Sequence, residues 1–199
     1  MKKTLIQTAM VAVLGFVTLA PVVASAEDGT ITFTGLITDT TCVVTGGGAA
    51  TGTKNIAVAL PTVSSSSLSE SGMTAGDTNF SLNLAGPNCT AGKTAALWIE
   101  STQTPLDTET GALINQAASG ATNVEVRLVN PENMLPIKLA TDGNVLPGKT
   151  LIDENNQPAA KINPTRSATL NYVAQYLAVG GAATPGEVNT YLTYSMQYN

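Results

Sequence analysis

An antiparallel, all-β sandwich is the fold this sequence predicts, on three observations. Short runs of β-branched and aromatic residues alternate apolar and polar with period two. Clusters of Gly, Pro, Asn and Ser separate these runs. No stretch beyond the first 26 residues carries the periodicity of an amphipathic helix. The composition agrees: of 199 residues 43% are hydrophobic and only 12% charged, against a usual charged share of about 25%, so the polar surface rests on Thr, Ser, Asn, Gln and Gly. Nine basic residues are too few for a nucleic-acid footprint. The chain has no His, which removes Ser-His-Asp and Cys-His nucleophiles, the usual zinc sets and the side chain that shuttles protons near neutral pH.

Lys2 and Lys3 precede an apolar run from Met10 to Ala20, and the stretch closes on Ala24-Ser25-Ala26. This is the pattern of a secretory signal peptide, residues 1–26, cleaved after Ala26. Pro21 interrupts the run, and it falls short of the ~20 apolar residues a membrane span needs. Cleavage leaves 173 residues with a net charge of −7, and no later segment is apolar and long enough to anchor the chain. Export assigns the two cysteines a role. Cys42 and Cys89 allow one connectivity, and an oxidising compartment favours a structural disulfide over a redox or metal pair, whose C-x-x-C spacing is absent. Closing a loop of about 48 residues constrains the unfolded chain by roughly 4 kcal/mol in the loop-entropy model.

From Thr30 the chain reads Thr-Ile-Thr-Phe-Thr-Gly-Leu-Ile-Thr, with Ile31, Phe33, Gly35 and Ile37 on one face and mostly threonines on the other. Further strands are expected over 55–60, 79–84, 95–100, 123–129, 134–140, 168–179 and 188–198. Turns are expected at 46–48, 64–67, 86–88, 130–131, 142–144, 155–156 and 184–186. The short serine tract at 64–67 marks no linker, so the chain after the signal peptide reads as one domain.

Gly143-Asn144-Val145-Leu146-Pro147-Gly148-Lys149-Thr150 matches the phosphate-cradling G-x-x-x-x-G-K-[ST] pattern letter for letter. The context excludes it: a P-loop opens a helix, and here turn residues and Pro158 follow within two turns. Gly92-Lys93-Thr94 repeats only the ending. Asn88-Cys89-Thr90 fits a glycosylation acceptor, but its Cys is claimed by the disulfide. The acids Asp107 and Glu109, and Asp153 with Glu154, read as solvated loop residues without calcium-loop spacing. No catalytic constellation, metal set or cofactor site emerges.

The two ends carry the functional signal. The N-terminal alternating strand ends just before the first Cys. At the other end Val188, Thr190, Leu192, Tyr194, Met196 and Tyr198 share one face of a terminal strand. Other marks follow in order: Gly35 seven residues before Cys42, Phe80-Ser81-Leu82-Asn83-Leu84 leading into Cys89, Gly120-Ala121-Thr122-Asn123-Val124, Tyr172-Val173-Ala174-Gln175-Tyr176, Thr184-Pro185-Gly186 and a penultimate Tyr198. Together, over essentially the whole mature chain, they resemble the type 1-like pilin subunits of the chaperone–usher pathway of Gram-negative bacteria.

That resemblance implies an incomplete immunoglobulin-like sandwich, residues 40–199, lacking its final strand and completed by a donor strand from a neighbouring subunit. It implies that residues 27–39 are the donor extension, with Ile31, Phe33, Gly35 and Ile37 entering the neighbour's groove. Gly29 stands two positions earlier, where related subunits often carry a larger apolar residue. A chaperone-recognition strand maps onto Gly186, Val188, Leu192, Tyr194, Met196, Tyr198 and Asn199, whose carboxylate would meet a chaperone cation. The implied partners are copies of the chain or related pilins, a periplasmic chaperone and an outer-membrane usher, with an extracellular fimbrium as the destination. The implied function is structural rather than enzymatic. The runner-up is a minor or tip-associated adhesin binding a host-surface receptor, with Trp98 and loop tyrosines as its place.

Overall fold

Leu82, Leu84, Leu170 and Tyr172 come from one antiparallel sheet, Ala95, Leu97 and Ile99 from another, and all are buried in one hydrophobic cluster, which makes the molecule a two-layer β-sandwich. The computed structural model describes residues 41–139 and 156–199. In chain order the strands are β1 (Val43–Gly48), β2 (Ala50–Thr51), β3 (Ala57–Val58), β4 (Thr74–Ala85), β5 (Thr94–Ile99), β6 (Leu113–Ile114), β7 (Val124–Asn130), β8 (Leu135–Ile137), β9 (Ala159–Lys161), β10 (Ser167–Ala178) and β11 (Tyr194–Tyr198). The larger sheet runs β1-β4-β10-β7-β6, with β8 also paired to β7; the second runs β11-β5-β9; β2 and β3 form a small ribbon. Every strand pairing among the described residues is antiparallel. The helical elements among the described residues are two 3-10 turns, the first at Ser65–Leu68 capped by the Ser64 hydroxyl.

The long strands β4 and β10 form the spine, in register from Ser167 opposite Ala85 to Tyr172 opposite Phe80. Period-2 alternation places Leu82, Leu84, Leu170 and Tyr172 inward, and the Phe80 and Tyr172 rings stack with centroids 5.3 Å apart. The expected disulfide is present: Cys42 and Cys89, both buried, tie the start of β1 to the turn before β5.

The chain departs from the sequence expectation in instructive places. Gly46-Gly47-Gly48, expected as a turn, lies in β1 opposite Leu82, Ser81 and Phe80. Side chains would not fit there: a Cβ on Gly46 would stand 2.7 Å from the Ala50 backbone, so the glycines let β1 fold tightly against the returning chain. Over 55–60 only Ala57–Val58 counts as strand, yet Ile56, Val58 and Leu60 remain half-buried and Ala57 and Ala59 exposed, so the alternation persists beyond the ladder. The terminal strand begins at Tyr194 rather than at 188, because its partner β5 ends at Ile99, directly opposite Tyr194. Upstream, residues 189–193 bond to loops instead: Gln116 N–H donates to Asn189 C=O (2.7 Å), and Glu100 N–H to Thr193 C=O (2.9 Å).

Candidate functional site: the C-terminal strand and its exposed flank

In an antiparallel pair, residues directly opposite share a face. Tyr194, Met196 and Tyr198 therefore face the core with Ile99, Leu97 and Ala95, while Ser195 faces outward with Trp98. The two strands differ sharply in cover. Ala95, Leu97 and Ile99 are buried, but Tyr194, Met196 and Tyr198 are only half-covered, although they pack on the same core. The cause is position: β5 is flanked by β11 and β9, whereas among the described residues β11 pairs with β5 alone. Val188 and Leu192 extend the half-covered row upstream, and Ile56 and Leu60 contribute a second half-covered set to the same cluster. Among the described residues the sandwich thus carries a strip of half-covered core side chains along its C-terminal strand.

Two tyrosine hydroxyls link this strip to the chain near β1. The Cys42 backbone N–H donates to the Tyr198 hydroxyl at 3.1 Å, and the Tyr194 hydroxyl donates to the Lys54 carbonyl at 2.7 Å. Burial raises the pKa of both phenols above the ordinary 10.0, most simply because a phenolate there would lose hydration; the Cys42 N–H partly offsets this at Tyr198. At the chain end, Thr94 and Asn199 exchange two backbone hydrogen bonds of 2.9 Å each, so one oxygen of the terminal carboxylate already accepts an N–H.

Gly186 occupies a different environment from the rest of the predicted recognition strand. A Cβ there would stand 2.4 Å from Ala121 N and 2.7 Å from the Gly120 carbonyl carbon, so two backbones cross in contact. Ala121 N–H donates to Glu187 C=O (2.9 Å), Thr184 N–H to Thr122 C=O (3.1 Å), and Thr122 N–H to the Thr184 hydroxyl (2.9 Å). The marks Gly120 to Val124 and Thr184-Pro185-Gly186, some sixty residues apart in sequence, therefore interlock at one pole of the sandwich.

Of the other predicted residues, Cys42 and Cys89 anchor the opposite pole. The donor residues Ile31, Phe33, Gly35 and Ile37, the signal peptide and the Gly143 to Thr150 motif lie outside the described residues, as do Asp153 and Glu154. The Gly92–Thr94 segment is a turn leading into β5. Asp107 does more than face solvent. Its carboxylate accepts the Glu109 and Thr110 N–H groups at 2.7 and 3.1 Å, which hold its pKa below the ordinary value. Glu125, buried on β7, accepts the Thr110 hydroxyl at 2.6 Å and hydrogen-bonds with Asp107; burial raises its pKa. The residues that sequence reading did not connect to the site are Ile56, Leu60 and Lys54. The alternation over 55–60 was visible in the sequence, but that Ile56 and Leu60 share the core cluster of the C-terminal strand, and that the Lys54 carbonyl accepts the Tyr194 hydroxyl, depends on long-range packing.

Fold and site together define a class: an all-β, single-disulfide sandwich whose terminal strand leaves part of the core half-covered. Residues 60–199 match the family model described as FimA, type-1 fimbrial protein, A. The chain is 42% identical over 182 residues to the major fimbrial subunit SMF-1 of Stenotrophomonas maltophilia (strain K279a), covering 90% of this chain and 98% of that one. It is 39% identical over 176 residues to the F17 fimbrial protein of Escherichia coli, covering 87% and 88%. It is 34% identical over 179 residues to the minor fimbrial subunit HifD of Haemophilus influenzae, covering 88% and 76%. The chain belongs to the type-1 fimbrial protein family, a family of fimbrial subunits.

Proposed function

We propose that this fimbrial subunit is a structural unit that completes its sandwich with a strand from a neighbour and polymerises by donor-strand exchange. The observation that carries the reading is the half-covered row Val188, Leu192, Tyr194, Met196 and Tyr198, packed on the same core cluster as the half-covered Ile56 and Leu60. A strand laid beside β11 would extend the β9-β5-β11 sheet by main-chain hydrogen bonds while inserting every second side chain into the strip. Residues 27–39 supply such a strand: Ile31, Phe33 and Ile37 sit on one face with Gly35 between them. Each chain then gives one strand and receives another, a heterologous contact that does not close on itself and so builds a filament.

An uncovered edge beside apolar side chains is an aggregation hazard, so a subunit in transit needs a temporary strand. A periplasmic chaperone supplies it, and an outer-membrane usher is the place of exchange. The signal peptide directs the chain into this route, ending in an extracellular fimbrium on a Gram-negative surface.

The test is to express the full chain with Phe33→Asp in cells that assemble wild-type fimbriae. The variant is expected to be exported and processed but to leave the surface bare, since a carboxylate cannot enter an apolar strip. Fimbriae of normal length and number would overturn the reading.

A further inference from the structure

Among the described residues β11 is held by a partner strand on one side only, and an apolar row on such a strand, if free to tilt, would sink onto the core until its side chains were covered. The row along β11 stops short of that: Tyr194, Met196 and Tyr198 stay half-covered. The cause lies at the two ends of the strand. Tyr194 is its first residue and Tyr198 its last, both face inward, and both are hydrogen-bonded to the chain beside β1, which belongs to the opposite sheet. The Tyr194 hydroxyl donates to the Lys54 carbonyl at 2.7 Å, and the Tyr198 hydroxyl accepts the Cys42 N–H at 3.1 Å. Met196, between them, has no polar end to bind.

Both anchor points are themselves fixed. Cys42 is tied to Cys89 by the disulfide, and Thr41 N–H beside it donates to Asn88 C=O at 3.1 Å. Lys54 N–H donates to Val44 C=O on β1 at 3.0 Å. Lys54 also holds a φ of 63°, in the left-handed region that a non-glycine residue seldom enters. Such a conformation persists where surrounding contacts over-determine it, and the bond from Tyr194 is one of those contacts. Packed sheets stand about 10 Å apart, and a tyrosine is suited to hold such a gap: its ring is rigid, only two torsions turn it, and its hydroxyl gives it a fixed far end.

We propose that Tyr194 and Tyr198 are struts that hold this edge of the sandwich open, keeping β11 away from the chain at Cys42 and Lys54 so that the strip stays ready for an incoming strand. They are positioning residues. Neither hydroxyl needs to touch the donor, and a strand lying beside β11 keeps the edge open by itself. The struts therefore govern the entry of the strand and not its retention. A ring without its hydroxyl loses its far anchor, the strip settles onto the core, and entry slows in proportion to the fraction of molecules still open. The inference rests on the donor-strand reading above and names the residues that keep the receiving side prepared.

The test follows a peptide of residues 27–39, fluorescently labelled and in excess, as it enters dilute mature chains, read by fluorescence anisotropy. Tyr194→Phe and Tyr198→Phe are each expected to take it up about fivefold more slowly than wild type, the effect of one ordinary hydrogen bond, and to release it at the wild-type rate. Tyr191→Phe changes an exposed tyrosine and should match wild type in both rates. Hydroxyls that serve stability alone would lower the midpoint of thermal unfolding and leave entry as it was. Wild-type entry in both variants, or a loss that appears only as faster release, overturns the struts. If Tyr198→Phe does not fold, Tyr194→Phe decides by the same two rates. A wild-type chain that takes up no peptide overturns the donor-strand reading itself, a result seen before any variant is compared.

Discussion

At the scale of single residues, Gly186 and Tyr198 show how the same C-terminal motif combines unlike physical demands. Gly186 is required by space: its missing side chain lets residues 186–187 lie on the backbone of 120–121. Gly186→Ala is expected to destabilise the fold by about 2 kcal/mol, in the range of overpacked sites, read as a lower midpoint of thermal unfolding. An unchanged midpoint would mean that the crossing is looser than described. Tyr198 instead acts through one hydroxyl, the partner of the Cys42 N–H. Tyr198→Phe keeps the ring against the core and leaves that N–H without its partner, a loss of about 1 kcal/mol. Urea unfolding should show a lower midpoint with the same slope, and a midpoint equal to wild type would remove the hydroxyl from the account. Both residues could be picked out of the sequence as members of a pattern. Their separate tasks could not, because each depends on a contact with a residue more than sixty positions away.

At the scale of elements, alternation made most strands legible. The runs at 79–84, 95–100, 123–129 and 168–179 all fall in strands, with boundaries shifted by a few residues. What alternation could not give was register and neighbours. A triple glycine reads as a turn until β4 and the returning chain are seen to press against it, and a regular terminal run shortens to Tyr194–Tyr198 because its partner strand stops. The loop before β6 shows the same limit: Asp107 looked solvated, yet with Thr110 it clasps Glu125 on β7. The two carboxyls titrate in opposite senses. Glu125, raised by burial, adds stability that is full below its unfolded value near 4.5 and fades as pH rises through the higher folded value. Asp107, lowered by its two N–H bonds, adds stability above its unfolded value near 3.8 that fades as pH falls through the lower folded value. Glu125→Gln mimics the protonated acid, since an amide both donates and accepts. It is expected to remove the decline in stability from pH 4.5 upward while leaving the acid limb in place, measured by unfolding across pH 3–8. A variant that loses stability equally at every pH would show that Glu125 serves only packing.

At the scale of the whole molecule, the low charge and the absence of His take on a positive meaning. They fit the proposed role of a β-sandwich subunit that joins copies of itself through main-chain pairing and apolar side chains, with the half-covered core residues along β11 as the place. The half-covered strip ties the two ends of the chain together in function: residues 186–199 expose it and residues 27–39 are proposed to fill it in the next subunit. The most direct measurement compares the unfolding and oligomeric state of three mature chains: the wild type, one lacking residues 27–39, and one with residues 27–39 appended after Asn199 through a short flexible linker in place of their native position. The appended form is predicted to be a soluble monomer with a cooperative transition well above that of the truncated form, which should aggregate or stay loosely folded without a partner strand. A truncated chain that is soluble, monomeric and as stable as the appended one would contradict the account.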